Sequence, residues 1–181
     1  MNKLYNYSVY LVGPIDFAPD SGKGWREKIS KFLNNFDINI FNPCNKPLDM
    51  EEEDDGIRKK LHTLNENSTN EEYDDVSSFV KNIVTIDLHM LDLSNFIICY
   101  LDVDIPMCGT YSELTYAALE KKPVIVMCKQ GKNKVPGWLW GILDHNLFFG
   151  NWEDVKDYIR DISLDRNVYD KRWRFIDYNR V

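Results

Sequence analysis

The chain has 181 residues, 44% of them hydrophobic, which is enough to bury the core of one globular domain. Its formal net charge of −7 disfavours broad contact with a nucleic acid polymer or an anionic membrane. No apolar run is long enough for a membrane span or a signal peptide, and the four cysteines have no CxxC spacing. We therefore expect a cytoplasmic protein with free thiols and a single domain over residues 1–181.

The first part of the chain alternates strand and helix patterns. The apolar run "YSVYLVG" stops at a Gly-Pro pair, which predicts a strand followed by a sharp turn. The segment "WREKISKFLNNF" has apolar residues at helical spacing, and "INIFNP" predicts a second strand that ends at Pro43. Residues 48–75 are acidic and polar, so we expect a solvated excursion there with one helical turn near residues 57–64.

The second part of the chain continues this alternation. The segment "DVSSFVKNIVTIDLHMLDLS" predicts a helix with Asp87 on its apolar stripe, and "NFIICYLD" predicts a third strand covered on both faces. A helix that carries Glu113 and the strand "PVIVM" follow. Beyond them lie a loop rich in Gly, Pro and Trp, a short strand near "LFFG", and a helix from Asn151.

Regular alternation of strands and helices predicts the α/β class, with a parallel sheet and helices on both faces. If the third strand lies on the far side of the first, the five strands have the flavodoxin-like, Rossmann-like order 2-1-3-4-5. Ligands of such folds bind outside the carboxyl ends of the strands, at the switch point between strands one and three. Residues 13–17 and 102–113 would both lie there, so Glu113 would face a cleft.

Several common site chemistries are excluded by their missing motifs. The sequence contains no GxxxxGK[ST] phosphate loop, no GxGxxG, no HExxH, no GxSxG and no Cys/His cluster with zinc spacing. The remaining candidates for chemistry are carboxylates, and we expect no metal ion or organic cofactor.

Two carboxylates stand out by their positions. We expect Glu113 in the first turn of its helix, where the macrodipole favours the ionised form, a competent nucleophile. Asp87 interrupts an apolar stripe, so it should either take up a proton or have a partner. Such a pair suits displacement at an anomeric carbon with acid/base help to the leaving group. Alternatively, Glu113 only caps its helix and Asp87 is a structural residue near a helix end.

At these residues the sequence resembles the nucleoside 2-deoxyribosyltransferase family and its nucleoside hydrolase relatives. The likeness runs through "YLVGPID", "IDLHMLDLSNFIICYLD" and "GTYSELTYAALEKKPVIV", and "GKGWREKI" and "NPCNKP" look like a branch often met in phage genomes. The resemblance implies that Glu113 attacks the anomeric carbon of a 2′-deoxynucleoside and forms a covalent deoxyribosyl ester. It also implies that Asp87 handles the proton of the base and that Tyr10 hydrogen-bonds the nucleophile.

The sequence departs from the family at the residue six places before the nucleophile. Transferases commonly have a sugar-binding aspartate there and nucleotide-specific hydrolases a serine, whereas this chain has Met107. Asp102 or Asp104 could replace it in contacting the sugar. The tail "DYNRV" matches too loosely to assign a residue that reaches a neighbouring subunit's site. The substrate-binding prediction comprises Gly13, Pro14, Ile15, Asp16, Phe17, Asp102, Asp104, Met107 and Gly109.

Within that set, Phe17 could stack on a base or cover the core, and Asp16 could read a base edge or cap a turn. Lys23 and Arg26 could contact a 5′-phosphate, although no glycine cradle accompanies them. Trp138 and Trp140 fit a lid or a subunit contact.

The resemblance therefore predicts transfer at the N-glycosidic bond of 2′-deoxynucleosides. A deoxynucleoside 5′-monophosphate hydrolase and a catalytically silent nucleotide-binding protein are the alternatives. The implied partners are a small-molecule nucleoside or nucleotide, a free base, and further copies of the chain in a homodimer or higher homo-oligomer. For a phage-encoded protein the location would be the host cytoplasm.

Overall fold

The computed structural model describes residues 2–46, 61–166, 168 and 170–176. Its centre is a parallel five-stranded sheet in the order β2-β1-β3-β4-β5. The strands are β1 (Ser8–Val12), β2 (Asn39–Phe41), β3 (Phe96–Leu101), β4 (Val124–Cys128) and β5 (Phe148–Phe149). The predicted fold class and strand order are confirmed.

Five helices are named by their order in the chain. They are α1 (Lys23–Leu33), α2 (Asn70–Leu93), α3 (Cys108–Leu119), α4 (Gly137–Ile142) and α5 (Trp152–Ser163). Short 3₁₀ segments follow α1, precede β5 and end the described chain. None of the helices in the described ranges combines the length and the apolar composition needed to cross a membrane.

Side chains of β1 alternate between two cores, as the two-residue period of a strand requires. Val9 and Leu11 pack with residues of α1 and α5, whereas Tyr10 and Val12 pack with residues of α2 and α3. The central strands β3 and β4 are almost wholly buried, since helices cover both faces of the sheet. Tyr10 therefore lies on the face covered by α3, the helix that carries Glu113.

The acidic excursion ends earlier than predicted. Helix α2 begins at Asn70, because Thr69 accepts a hydrogen bond from the Glu72 backbone and the Glu72 side chain accepts one from the Thr69 backbone. Residues 70–75 are thus helical, which corrects the prediction for them. Residues 61–63 are helical, in agreement with part of the turn expected at 57–64, and residues 48–60 lie outside the described residues.

The apolar stripe of α2 is only partly a core stripe. Val76, Met90 and Leu91 are buried, but the middle of the helix is not covered by the sheet, and Val84 is 48% exposed. The middle residues instead line a cavity: Phe79, Val80, Ile83 and Val84. The periodicity predicted the helix correctly, but it did not distinguish a core face from a cavity wall.

Candidate active site

A cavity of about 500 Å³ opens at the carboxyl ends of β1 and β3, the switch point of the sheet. Its walls come from the loop between β1 and α1, the middle of α2, and the start of α3. Most of the predicted site residues line it: Tyr10, Gly13, Pro14, Ile15, Asp16, Phe17, Asp87, Met107, Gly109 and Glu113.

A short hydrogen bond joins two of these residues across the cavity floor. The hydroxyl of Tyr10 donates to Oε1 of Glu113 at 2.6 Å. Burial, followed by the negative charges of Glu113 and Asp87, raises the pKa of Tyr10 well above its usual value. The hydroxyl therefore keeps its proton and remains a donor to the carboxylate at neutral pH.

Glu113 lies in the second turn of α3, which corrects the expectation of the first turn. The helix begins at Cys108, directly after Met107, and its first turn contains no acidic residue. The free N–H groups of a helix lie in its first turn, and the dipole effect weakens beyond that turn. The chemical state of Glu113 is consequently set by tertiary neighbours rather than by its own helix.

Burial raises the pKa of Glu113 to about 7, and the negative charge of Asp87 adds to this. The hydrogen bond from Tyr10 and the positive charges of Arg26 and Lys46 act in the opposite direction. A carboxyl group with this pKa is about half ionised at pH 7. The expected preference for the ionised form is therefore wrong for this site, because desolvation outweighs the favourable contacts.

Asp87 has a partner of opposite charge. Lys46 lies just after β2, and its Nζ is 3.2 Å from Oδ1 of Asp87. The two side chains are only 9% and 16% exposed, so the ion pair is largely removed from water. This agrees with the expectation that a carboxylate on an apolar stripe takes up a proton or has a partner.

Arg26 is completely buried behind the loop between β1 and α1. Its guanidinium donates to the backbone carbonyls of Leu11 at 3.3 Å, Gly13 at 2.8 Å and Gly22 at 2.9 Å, and its charge lies 4.5 Å from the ring centre of Trp25. These bonds hold the loop that forms one cavity wall. Arg26 itself lines the cavity, but these bonds engage most of its N–H donors, and Lys23 is exposed outside the cavity lining.

Asp102 and Asp104 lie outside the cavity lining. Nζ of Lys129 donates to Asp102 at 2.8 Å, and the side-chain amide of Gln130 donates to Asp102 at 2.5 Å and to Asp104 at 2.7 Å. This network joins the loops after β3 and β4. The structure therefore does not bring these two carboxylates together with Glu113, and the sugar contact expected of them has no support from their positions.

The wall next to the nucleophile candidate is apolar where the family commonly has a polar residue. Met107 is 5% exposed and lines the cavity at the N-terminal end of α3. Phe17 also lines the cavity, is 50% exposed, and meets the edge of His62 with ring centres 5.3 Å apart. Its exposed ring face suits stacking on a base better than it suits core packing.

The aromatic loop lies away from these groups. Trp138 is 74% exposed, and Trp140 packs against Phe148 and donates to the carbonyl of Val135. Neither tryptophan lines the cavity, so the predicted lid role has no support from their positions. Residues 177–181, the tail considered for a subunit contact, lie outside the described residues.

The sequence analysis missed some residues of the site. Lys46 was not selected, although the segment "NPCNKP" follows a strand adjacent to β1 in the predicted order, so the topology carried the signal. Thr110 and Ser112, three residues and one residue before Glu113, also line the cavity, and no sequence motif marked them. Within the described parts of the chain, no group of three or more His, Cys, Asp or Glu side chains is placed to hold a metal ion.

Three solved structures are similar to this chain to different degrees. A 2-deoxyribosyltransferase from Bacillus psychrosaccharolyticus is similar over 83% of this chain and 91% of that chain, with 20% identity and a TM-score of 0.52. A conserved protein from Enterococcus faecalis is similar over 87% of this chain and 99% of that chain, with 13% identity and a TM-score of 0.55. A 2-desoxiribosyltransferase from Leishmania mexicana covers 69% of this chain and 66% of that chain, with 21% identity and a TM-score of 0.45. The first two likenesses support the fold.

Comparison by sequence adds the family. No curated protein matches this chain significantly. A family model described as nucleoside 2-deoxyribosyltransferase matches residues 9–150, a span that begins in β1 and contains Tyr10, Asp87 and Glu113. Because that match covers well over half of the sequence, the chain belongs to the nucleoside 2-deoxyribosyltransferase family.

Proposed function

We propose that this protein transfers the deoxyribosyl group of a 2′-deoxynucleoside from one base to another through a covalent ester with Glu113. The observation that carries the proposal is the hydrogen bond of 2.6 Å between Tyr10 and Glu113 in a cavity that Asp87 also lines. A nucleophile held by a donor, with a second carboxylate nearby, is the arrangement that retaining displacement at an anomeric carbon requires. Membership of the family supports the same reaction.

In the first half-reaction, the ionised carboxylate of Glu113 attacks C1′ of the nucleoside. The C1′–N bond breaks, its electron pair stays on the base, and the base takes up a proton from Asp87, which reacts in its protonated form and pairs with Lys46 when it is ionised. The hydroxyl of Tyr10 orients the attacking carboxylate. Absence of a 2′-hydroxyl makes the oxocarbenium-like transition state more accessible, and positioning in the cavity supplies much of the remaining rate enhancement.

In the second half-reaction, a nitrogen of the acceptor base attacks C1′ of the ester. The ester bond breaks, Glu113 regains its carboxylate, and Asp87 takes the proton that the acceptor loses. The apolar wall formed by Phe79, Ile83 and Val84 on α2 disfavours water as the acceptor. This wall supports transfer over hydrolysis.

The direct experiment incubates the protein with each deoxynucleoside and deoxynucleotide, with and without a free acceptor base, and separates the products by chromatography. We expect a new deoxynucleoside that forms only when the acceptor is present. Free base and sugar without an acceptor would instead establish a hydrolase. No release from any substrate would favour the silent binding protein, for which the apolar Met107 is the supporting observation.

Variants assign the roles. Glu113→Ala should abolish turnover and the covalent adduct seen by intact-protein mass spectrometry, because no carboxylate remains to form the ester. Asp87→Asn should slow base departure by about 10² to 10⁴, the usual effect of losing a general acid. Normal turnover in the first variant would contradict the nucleophile assignment, and an unchanged rate in the second would make Asp87 structural.

The remaining expectations concern the setting of the reaction. A nucleoside and a free base as partners follow from the proposed transfer. A homodimer or higher homo-oligomer is expected by analogy with the family, and sedimentation of the purified protein measures it directly. A cytoplasmic location, in a host cell for a phage protein, stays a prediction.

A further inference from the structure

The ion pair between Lys46 and Asp87 places a cation at the back of the candidate site. Asp87 lines the cavity from α2, and Lys46 follows β2 at the same edge of the sheet. Their separation of 3.2 Å and their low exposure mean that each charge has lost most of its water. Removing one partner of such a pair leaves an uncompensated charge in a poorly solvated place.

Several groups among the described residues act electrostatically on Glu113, each from a different part of the fold. Asp87 on α2 contributes a negative charge, and Lys46 after β2 and Arg26 on α1 contribute positive charges. Tyr10 on β1 donates the hydrogen bond, and the buried thiol of Cys99 lies on β3. Of the two cations, Arg26 donates to backbone carbonyls, whereas Lys46 contacts the carboxylate of Asp87.

We propose that Lys46 is a positioning residue that holds the Asp87 carboxylate at the cavity wall and offsets its charge beside Glu113. The effect of Lys46 on turnover rests on the proposed function. Its effect on the pKa of Glu113 does not depend on a substrate. Lys46 also lowers the pKa of Glu113 directly, and the positioning role is the part of its effect that depends on its contact with the Asp87 carboxylate.

Comparison with the ion pair of Lys129 and Asp102 shows that the pair of Lys46 and Asp87 is not an ordinary surface contact. Lys129 and Asp102 are 2.8 Å apart, but Lys129 is 54% exposed and the pair lies outside the cavity. Lys46 is only 9% exposed, and a buried pair is a weak source of stability because desolvation cancels much of its attraction. A buried lysine opposite a cavity carboxylate is therefore best explained by what it does to the site.

The test measures the pKa of Glu113 directly, by carbon-13 NMR titration of the side-chain carboxyls, with the signal assigned by its loss in Glu113→Gln. In Lys46→Met the Glu113 pKa should rise by about one unit, since the negative charge of Asp87 then acts on Glu113 without the offset that Lys46 provides. Lys46→Arg should keep it near the wild-type value because the charge is retained. Lys129→Met is the matched control and should leave it unchanged.

A double variant separates action through Asp87 from direct action on Glu113. If Lys46 acts through Asp87, Lys46→Met should change the Glu113 pKa much less in the Asp87→Asn background than in the wild-type protein. The double variant lacks both charges of the pair, and comparing it with Asp87→Asn gives a measurable result if Lys46→Met alone does not fold. An equal rise in the two backgrounds would overturn the positioning role, and so would an unchanged pKa in folded Lys46→Met.

Turnover gives an independent readout. A one-unit rise lowers the ionised fraction of Glu113 at pH 7 from about one half to about one tenth, so kcat/KM of Lys46→Met should fall about fivefold and recover near pH 9. Equal loss at all pH values would contradict the inference. If the wild-type protein has no turnover, the proposed function fails, and the NMR titration still decides the role of Lys46.

Discussion

Burial of the Glu113 carboxyl group lowers the stability of the folded protein at pH values where this group would be ionised in the unfolded chain. Its carboxyl group is desolvated beside Asp87, and the resulting pKa of about 7 means that a proton is lost with difficulty. In an unfolded chain the same group ionises freely near its ordinary pKa of about 4.3. A group arranged this way suits a nucleophile better than a structural cap, because helix capping alone would favour the ionised form.

Because the pKa of Glu113 differs between the folded and the unfolded state, the stability of the protein depends on pH. Between about pH 4.5 and 7 the folded state binds more protons at Glu113 than the unfolded state. The contribution of Glu113 to the free energy of unfolding therefore falls as pH rises through that window and is constant above it. Glu113→Gln removes the ionisation while its carbonyl oxygen still accepts from Tyr10. We expect the variant to be more stable than wild type at pH 8 by up to about 3 kcal/mol, and by much less at pH 5.

Thermal or urea unfolding at the two pH values measures this difference. Glu120→Gln is the matched control, since Glu120 is exposed at the end of the same helix, and its stability should stay within about 0.5 kcal/mol of wild type. A Glu113→Gln variant that is equally stable at both pH values would contradict the desolvated carboxyl described above.

At the scale of elements, the N-terminal end of α2 stabilises the helix, and the middle of α2 lines the candidate site. Its N-terminus is closed by the reciprocal bonds of Thr69 and Glu72, while the middle turns of the helix form a cavity wall around Asp87. The sequence "TNEE" contains the capping pattern, yet the acidic composition around it masked the helix start. A local motif was therefore more informative here than regional composition.

The capping box of α2 leads to a prediction about stability. Thr69→Ala removes the side-chain oxygen that accepts from the Glu72 N–H at 3.2 Å, so the protein should lose about 1 kcal/mol of unfolding free energy. Glu71→Gln, in the same turn but outside the reciprocal bonds, should change stability by only a few tenths of a kcal/mol. Urea denaturation followed by circular dichroism compares the two, and equal losses would show that the box does not hold the helix start.

At the scale of the whole molecule, the loop between β1 and α1 packs closely against α1 and β3, and α5 packs behind it. A Cβ atom on Gly13 would lie 2.9 Å from Cζ2 of Trp25 on α1 and 2.9 Å from the carbonyl oxygen of Tyr100 on β3. Trp25 in turn stacks on Tyr100 and Trp152 with ring centres 5.5 Å and 5.7 Å away. The position of the cavity wall is thus set by packing on the opposite face of the sheet.

Gly13→Ala should therefore destabilise the protein by about 1 to 3 kcal/mol, because the indole or the strand must move. Gly109→Ala is the comparison: a Cβ atom there has nothing within 4 Å, and alanine suits a helix better, so stability should be equal or slightly higher. Differential scanning calorimetry of both variants measures this contrast. A Gly13→Ala variant as stable as Gly109→Ala would contradict the close approach.

The sequence by itself determined the elements and their order, because strand and helix periods are local properties of the chain and the rules for parallel connections leave few arrangements. It also placed Glu113 at the switch point, and the resemblance to the family added Tyr10 and Asp87 to the site. Only the tertiary structure decided that Glu113 is desolvated and that Lys46 faces Asp87. It also placed Asp102 and Asp104 in a separate network with Gln130. Charge state and pairing depend on groups far apart in the chain, so no local pattern contains them.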